Sequence, residues 1–120
     1  KSEEILNETD SIMLHKGALN TIICEGEYVP FQMRPLFDYM WSRYGMREFH
    51  QYISFSAESS TFGRHNDNVD VMIVPIIGKI GYRVDGLGEV DMEPGDVLYI
   101  PKYVYHEPVV YGPRATLSFS

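Results

Sequence analysis

The chain has 120 residues, 44% of them aliphatic, aromatic, methionine or cysteine and 22% charged, enough for one hydrophobic core that buries roughly two-thirds of the surface of the unfolded form. A formal charge of −7 argues against a nucleic-acid partner, because phosphate backbones are bound by clustered Lys and Arg. Cys24 is the only cysteine, which excludes an internal disulfide and a Cys-rich zinc cluster; the absence of an apolar run near the ~20 residues of a bilayer span and of a signal-peptide core in KSEEILNETD gives the expectation of a soluble, cytoplasmic chain with no membrane partner.

Residues 1–10 are acidic and polar, as in a loose arm. SIMLHKGALNTIICEGEYV follows, with β-branched and apolar residues broken by Gly17 and Gly26, and reads as one or two short strands. Its segments SIMLH and TIIC either pair within the chain or are buried in a homodimer. Residues 34–45 form the one expected helix: Pro35 suits a first turn, Leu36, Phe37, Met40, Trp41 and Tyr44 recur at steps of three and four, and Gly45 stops the run. Its apolar face should cover a sheet, with Met33, Met40 and Met46 filling core space. Trp41 is expected either as a packing anchor under the barrel or as a residue of a dimer interface.

From Glu48 the period changes to two. Phe49, Ile53 and Phe55 alternate with His50, Tyr52, Ser54 and Ser56, which is strand spacing. SAESSTFG reads as a loop, Val69 to Ile77 as a strand ended by Gly78, and KIGYRV as the next strand. DGLG and EPGD make turns, VLYIP and YVYHEPVVY supply further strands, GPR turns the chain again and ATLSFS closes it. About eight short strands with turns every 8–12 residues indicate an all-β sandwich or jelly-roll barrel over 48–120. With no internal linker, residues 1–120 form a single domain.

His65 and Asp67 stand two apart, so on an extended strand both side chains leave one face, roughly 6–7 Å apart at their α-carbons, with Asn66 and Asn68 turned the other way. His106, beyond the Pro-Gly-Asp turn, offers a third donor. Two imidazoles and a carboxylate on one side of an ion form the facial triad of Fe(II) oxygenases, and the same donors suit Zn, Mn or Ni. A solvated turn around His65 and a half-buried, backbone-satisfied His106 explain the same residues without a metal.

Two linked stretches, HNDNVDVMIVPIIGKIGYRV and MEPGDVLYIPKYVYH, resemble the cupin superfamily, and within it the JmjC-like and ribosomal Fe(II)/2-oxoglutarate oxygenases. The likeness covers about Phe55 to Ser120 and includes Gly95, Pro101 and His106 of the second motif. It implies a double-stranded β-helix, the cupin jelly-roll barrel, with one short N-terminal helix. It further implies His65, Asp67 and His106 as catalytic metal ligands, Fe(II) with 2-oxoglutarate as cosubstrate, and hydroxylation of a C–H bond. Asp70 has the opposite parity and is expected either to point outward or to support the ligands from behind.

Two positions depart from the family pattern. The basic residue that usually follows the strand-ending glycine by two, and that pairs with the far carboxylate of 2-oxoglutarate, is here Ile80. Lys79 is the first substitute if a bulge turns it inward; Arg83 and Arg114 are the others, and Tyr82, ahead of Tyr52, Tyr99 and Tyr105, is the expected hydroxyl donor. Phe62 occupies the place of a hydroxyl residue three before His65, with Ser60 and Thr61 alongside. His15 and His50 fall outside the motif and read as surface or half-buried histidines. A chain this short favours a small-molecule substrate. Cupin metalloproteins with isomerase, lyase or 2-oxoglutarate-independent dioxygenase chemistry, and non-catalytic small-molecule-binding cupins, are the alternative readings.

Overall fold

The computed structural model describes residues 21–25, 31–59 and 61–120. Among these residues eight strands and one α-helix follow in the order β1 (Ile22–Glu25), a 3-10 turn (Phe31–Met33), α1 (Arg34–Tyr44), β2 (Phe49–Ser54), β3 (Val71–Ile77), β4 (Ile80–Val84), β5 (Gly88–Met92), β6 (Leu98–Ile100), β7 (His106–Val110) and β8 (Arg114–Phe119). They form a five-stranded sheet, β1-β2-β8-β3-β6, facing a three-stranded sheet, β5-β4-β7. Every pairing is antiparallel. The crossovers that place β8 between β2 and β3, and β7 beside β4, give the jelly-roll order.

Side-chain parity divides the larger sheet into two faces. Val71 and Ile73 of β3 turn between the sheets, where they pack with Ile80, Tyr82, Val84, Met92 and Ile100. Met72, Val74 and Ile76 of the same strand turn outward, onto a cluster of Met40, Met46, Phe49, Leu117 and Phe119. This outer cluster is the seat of α1, whose Leu36, Phe37 and Met40 cover β2, β8 and β3. Each side chain fully buried there, Leu117 for example, contributes about 1.5–3 kcal/mol of apolar transfer. Pro35 lies in the first turn of α1, and Gly45 ends it with φ 69°, its N–H donating to the Trp41 carbonyl at 2.9 Å.

On β2 and β8 the inward face carries no comparable apolar set. His50, Tyr52 and Ser54 lie opposite Ser118, Thr116 and Arg114 in register. The space between the sheets is thus apolar under β3 to β6 and polar under β2 and β8. That asymmetry positions the site.

Several sequence expectations need correction. Trp41 is no packing anchor: it is 46% exposed, with the Arg47 guanidinium stacked 4.7 Å from its ring centre. Phe55 and Val69 are exposed, so the alternation of β2 ends at Ser54 and β3 begins at Val71. Within YVYHEPVVY, residues 103–105 are loop and the strand starts at His106. The TIIC segment pairs inside the chain, β1 against β2. The expected arm 1–10, the SIMLH segment and His15 lie outside the described residues. No helix among the described residues is long and apolar enough to cross a membrane.

Candidate metal centre and its cavity

His65 and Asp67 sit on a loop ahead of β3 instead of on the strand itself. Their placement comes from a distant partner: His65 and His106 form an isolated antiparallel bridge, each N–H donating to the other's carbonyl at 2.9 and 2.8 Å. Tyr103 holds the next residue in place, its N–H donating to the Asp67 carbonyl at 2.7 Å. Tyr103 does so at φ 68°, the only positive φ outside glycine among the described residues, a conformation sustained only where surrounding bonds over-determine it. Asn66 turns outward to donate to the Tyr103 carbonyl at 3.3 Å, and the Asp70 carboxylate, also outward, accepts the Lys102 N–H at 2.8 Å. Asn68, expected to point away from the site with Asn66, instead lines its cavity.

The two imidazoles are oriented alike. His65 Nδ1 lies 2.8 Å from the Gly63 carbonyl and His106 Nδ1 lies 2.9 Å from the Val104 carbonyl. A carbonyl can only accept, so each Nδ1 carries a proton, and in the neutral ring it is Nε2 that keeps the lone pair a metal ligand requires. The rings stand 4.5 Å apart at 60°. His106 Nε2 lies 3.4 Å from Asp67 Oδ2, and the donor atoms of His65, Asp67 and His106 all fall within 4.8 Å of one another. Two neutral nitrogens and one carboxylate oxygen at this separation fit a divalent ion bound on one side.

His106 has two states here: neutral, its Nε2 offers a lone pair to an ion, and without an ion a protonated Nε2 donates to Asp67 Oδ2 at 3.4 Å. The hydrogen bond from His106 holds the Asp67 carboxyl below the usual carboxylate range against the effect of burial, and positive charge on His65, His106 and His50 adds to the depression. For His106, burial opposes the imidazolium but the Asp67 hydrogen bond and the Val104 carbonyl outweigh it, so its pKa rises.

These three residues open into a cavity of about 220 Å³, on the small side of the ~300–1,000 Å³ usual for drug-sized ligands. Arg114 lines it, only 4% exposed. Its Nε donates to Ser54 Oγ at 2.8 Å, but its Nη1 is buried without a hydrogen-bond partner among the described residues. It forms no ion pair with a carboxylate among the described residues. Burial lowers its pKa, with the neighbouring Tyr82 and Tyr52 pulling the other way. Burial likewise pushes the Tyr82 phenol up, while Arg114 draws it down. A buried guanidinium without a counter-charge is costly, so the arrangement fits an anion entering beside Tyr82.

Lys79, the expected anchor, is elsewhere. β4 pairs without a bulge, so Ile80 and Tyr82 face inward while Lys79 lies outside, its Nζ 3.5 Å from Asp91 and 4.7 Å from the Tyr111 ring centre. Arg83 is also outside, paired with Glu89 and Glu107. Tyr52, Thr61 and Phe62 line the cavity; Tyr99 and Tyr105 are exposed away from it. His50, read from sequence as peripheral, also lines the cavity, as do Glu48, Ser118 and Ser120. The period-two parity that His50 shares with Tyr52 was the available signal.

No family model matches the chain, and neither does any curated protein. Solved structures do. The Escherichia coli ribosomal oxygenase YcfD, in complex with cobalt and 2-oxoglutarate, aligns with a TM-score of 0.58 and 26% identity over 74% of this chain and 27% of its own. A cupin superfamily protein of Desulfitobacterium hafniense aligns with a TM-score of 0.55 and 16% identity, covering 61% of this chain and 64% of its own. A Ralstonia eutropha protein provisionally assigned as a mannose-6-phosphate isomerase aligns at 0.59 and 18%, covering 83% and 82%. The fold is therefore the cupin jelly roll, and the chain spans about a quarter of the length of the ribosomal oxygenase.

Proposed function

We propose that this chain is the metal-binding barrel of a 2-oxoglutarate-dependent oxygenase acting on a small molecule. In this reading His65, Asp67 and His106 hold Fe(II), and Arg114, assisted by Tyr82, receives the far carboxylate of 2-oxoglutarate. One observation carries it: the buried guanidinium of Arg114, with no carboxylate partner among the described residues, opens into the same cavity as the His-Asp-His donors. The likeness to an oxygenase structure holding cobalt and 2-oxoglutarate supports it.

The ion with its cosubstrate supplies the oxidising chemistry, in which O2 and 2-oxoglutarate are consumed, a C–H bond is hydroxylated, and succinate and CO2 leave. The chain's own residues do the positioning. Gly63 and Val104 carbonyls fix the imidazole tautomers, and the Tyr103 N–H holds the Asp67 backbone. Ser54 aims the guanidinium, with Thr21 Oγ1 2.9 Å behind it. Val71, Ile73 and Tyr82 form the dry wall, where low dielectric strengthens the Arg114–carboxylate attraction. The cation that other family members carry two residues after the glycine thus comes here from β8, and Ile80 joins the core.

Anaerobic addition of Fe(II) and then 2-oxoglutarate should produce a weak visible charge-transfer band that vanishes in His106→Ala. A colourless mixture, together with Zn, Mn or Ni in the purified protein, would instead support a cupin metalloprotein of different chemistry.

A further inference from the structure

The cavity has a second polar wall that neither the metal ligands nor Arg114 use. Its groups are Glu48 and His50 on the β2 side and Ser118 and Ser120 on the β8 side. His50 lies opposite Ser118 in register, and Glu48 and Ser120 exchange backbone hydrogen bonds at 2.8 and 3.0 Å. With strands ~4.8 Å apart and alternate residues roughly 6–7 Å apart, the four groups fill one compact patch. Ser54, the register partner of Arg114, lies four residues beyond His50, roughly 13 Å along β2. The patch and the guanidinium are therefore opposite ends of one cavity. The donors His65, Asp67 and His106 line the same cavity as both.

The patch also has unused valence. His50 Nδ1 lies 3.4 Å from Tyr52 Oη, and its Nε2 has no hydrogen-bond partner among the described residues. The Glu48 carboxylate is in no ion pair among them.

We propose that this wall is the substrate subsite and that it takes a small polyhydroxylated molecule. A vicinal diol donates both O–H groups to Glu48, and neighbouring hydroxyls bridge His50 and Ser118, which presents a C–H of the hydroxyl-bearing chain to the metal. The inference rests on the oxygenase reading. It follows from the donor inventory: a carboxylate only accepts, whereas imidazole and serine both donate and accept. Successive hydroxyls match that set, and an ammonium would serve Glu48 alone. Glu48 and the chain's net charge of −7 repel a second anion. An apolar substrate would leave four desolvated polar groups unpaired.

The test uses the full chain loaded with Co(II) and 2-oxoglutarate, with xylitol and 1,4-diaminobutane as separate probes, reading the paramagnetic broadening of probe protons by NMR. Xylitol should broaden at millimolar concentration. Glu48→Gln, an isosteric change at an exposed position, should weaken that binding about tenfold, and His50→Ala several-fold, with the cobalt spectrum and 2-oxoglutarate affinity unchanged. The proposal is overturned if xylitol stays sharp, if 1,4-diaminobutane broadens in its place, or if both variants bind xylitol like the parent chain. Failure of Co(II) or 2-oxoglutarate to bind is seen in the absorption spectrum before any probe is added; that outcome overturns the oxygenase reading and this subsite with it.

Discussion

Replacing Arg114 by Met separates a ligand-binding residue from a structural one, because the two roles predict opposite results. The guanidinium is 4% exposed, bonded at Nε to Ser54 and unpartnered at Nη1. Met keeps most of the aliphatic stem and removes the charge. In the metal-free protein the change loses one hydrogen bond, about 1 kcal/mol, and relieves the desolvation of an uncompensated buried cation, a cost of several kcal/mol before relaxation and water entry. The net effect on the metal-free fold should lie between about 1 kcal/mol of loss and a small gain. Binding of 2-oxoglutarate should respond in the other direction. Truncating one member of a buried, hydrogen-bonded charge pair costs about 2–5 kcal/mol, or roughly 30-fold to several thousand-fold in affinity at 1.4 kcal/mol per decade. Denaturant unfolding of the metal-free chain gives the first quantity and calorimetric titration of the Co(II)-loaded chain gives the second. Arg114→Lys, which keeps the charge but loses the planar fork, should fall between. A Met variant destabilised by more than about 3 kcal/mol that still binds 2-oxoglutarate within twofold of the parent would refute the assignment.

Placing a cation on β4 by Ile80→Arg should fail to improve 2-oxoglutarate binding and should destabilise the fold by about 3–5 kcal/mol, because Ile80 is 0% exposed in the inter-sheet core; thermal unfolding measures it. Divalent metal at one hundred times its Kd should stabilise the chain by about 2.7 kcal/mol, and His65→Ala or His106→Ala should abolish that gain in denaturant titrations with and without Co(II). Without metal, His106 has its pKa raised above the ordinary 6.5 and Asp67 has its pKa held below 3.8. The His106 contribution is full below 6.5 and lost as pH climbs through the raised value, whereas that of Asp67 is full above 3.8 and lost on acidification below it. The stability gap between the parent chain and Asp67→Asn should therefore be widest between those two values and shrink by pH 9 in thermal scans; a gap that widens toward alkaline pH contradicts the pairing. Gly78→Ala should strongly destabilise or unfold the chain as judged by circular dichroism, since Gly78 has φ 76° and an added Cβ would collide with the Pro113 carbonyl oxygen.

The parts of this fold that local sequence conveys are those whose side chains are decided by a single strand or helix. β3 reads as a strand because alternate residues meet two different apolar layers, the inter-sheet core and the underside of α1. α1 reads as a helix because Leu36, Phe37 and Met40 share a face that Pro35 and Gly45 delimit. Trp41 escapes the same reasoning, since a helical stripe gives spacing but not the width of the surface it meets. The identities of the two histidines and the carboxylate were visible, but their placement was not. His65 and Asp67 are held by the bridge to His106 and the bond from Tyr103, contacts made across the barrel, so the strand geometry assumed for the pair is absent.

Arg114 shows the same limit from the other side. In Gly-Pro-Arg-Ala-Thr-Leu it resembles a solvated residue after a turn, and only its register against Ser54 turns it inward with Thr116 and Ser118. Ile80 taken alone looks like the loss of a carboxylate anchor. Ile80 is buried together with Tyr82, beside a guanidinium delivered from β8, and under the proposed function it is one half of an exchange in which β4 supplies packing and β8 supplies charge. A chain with both Ile80 and an uncharged residue at 114 would have no buried guanidinium in this cavity among the described residues, which is why the paired variants Arg114→Met and Ile80→Arg test the exchange more sharply than any change at the candidate metal ligands.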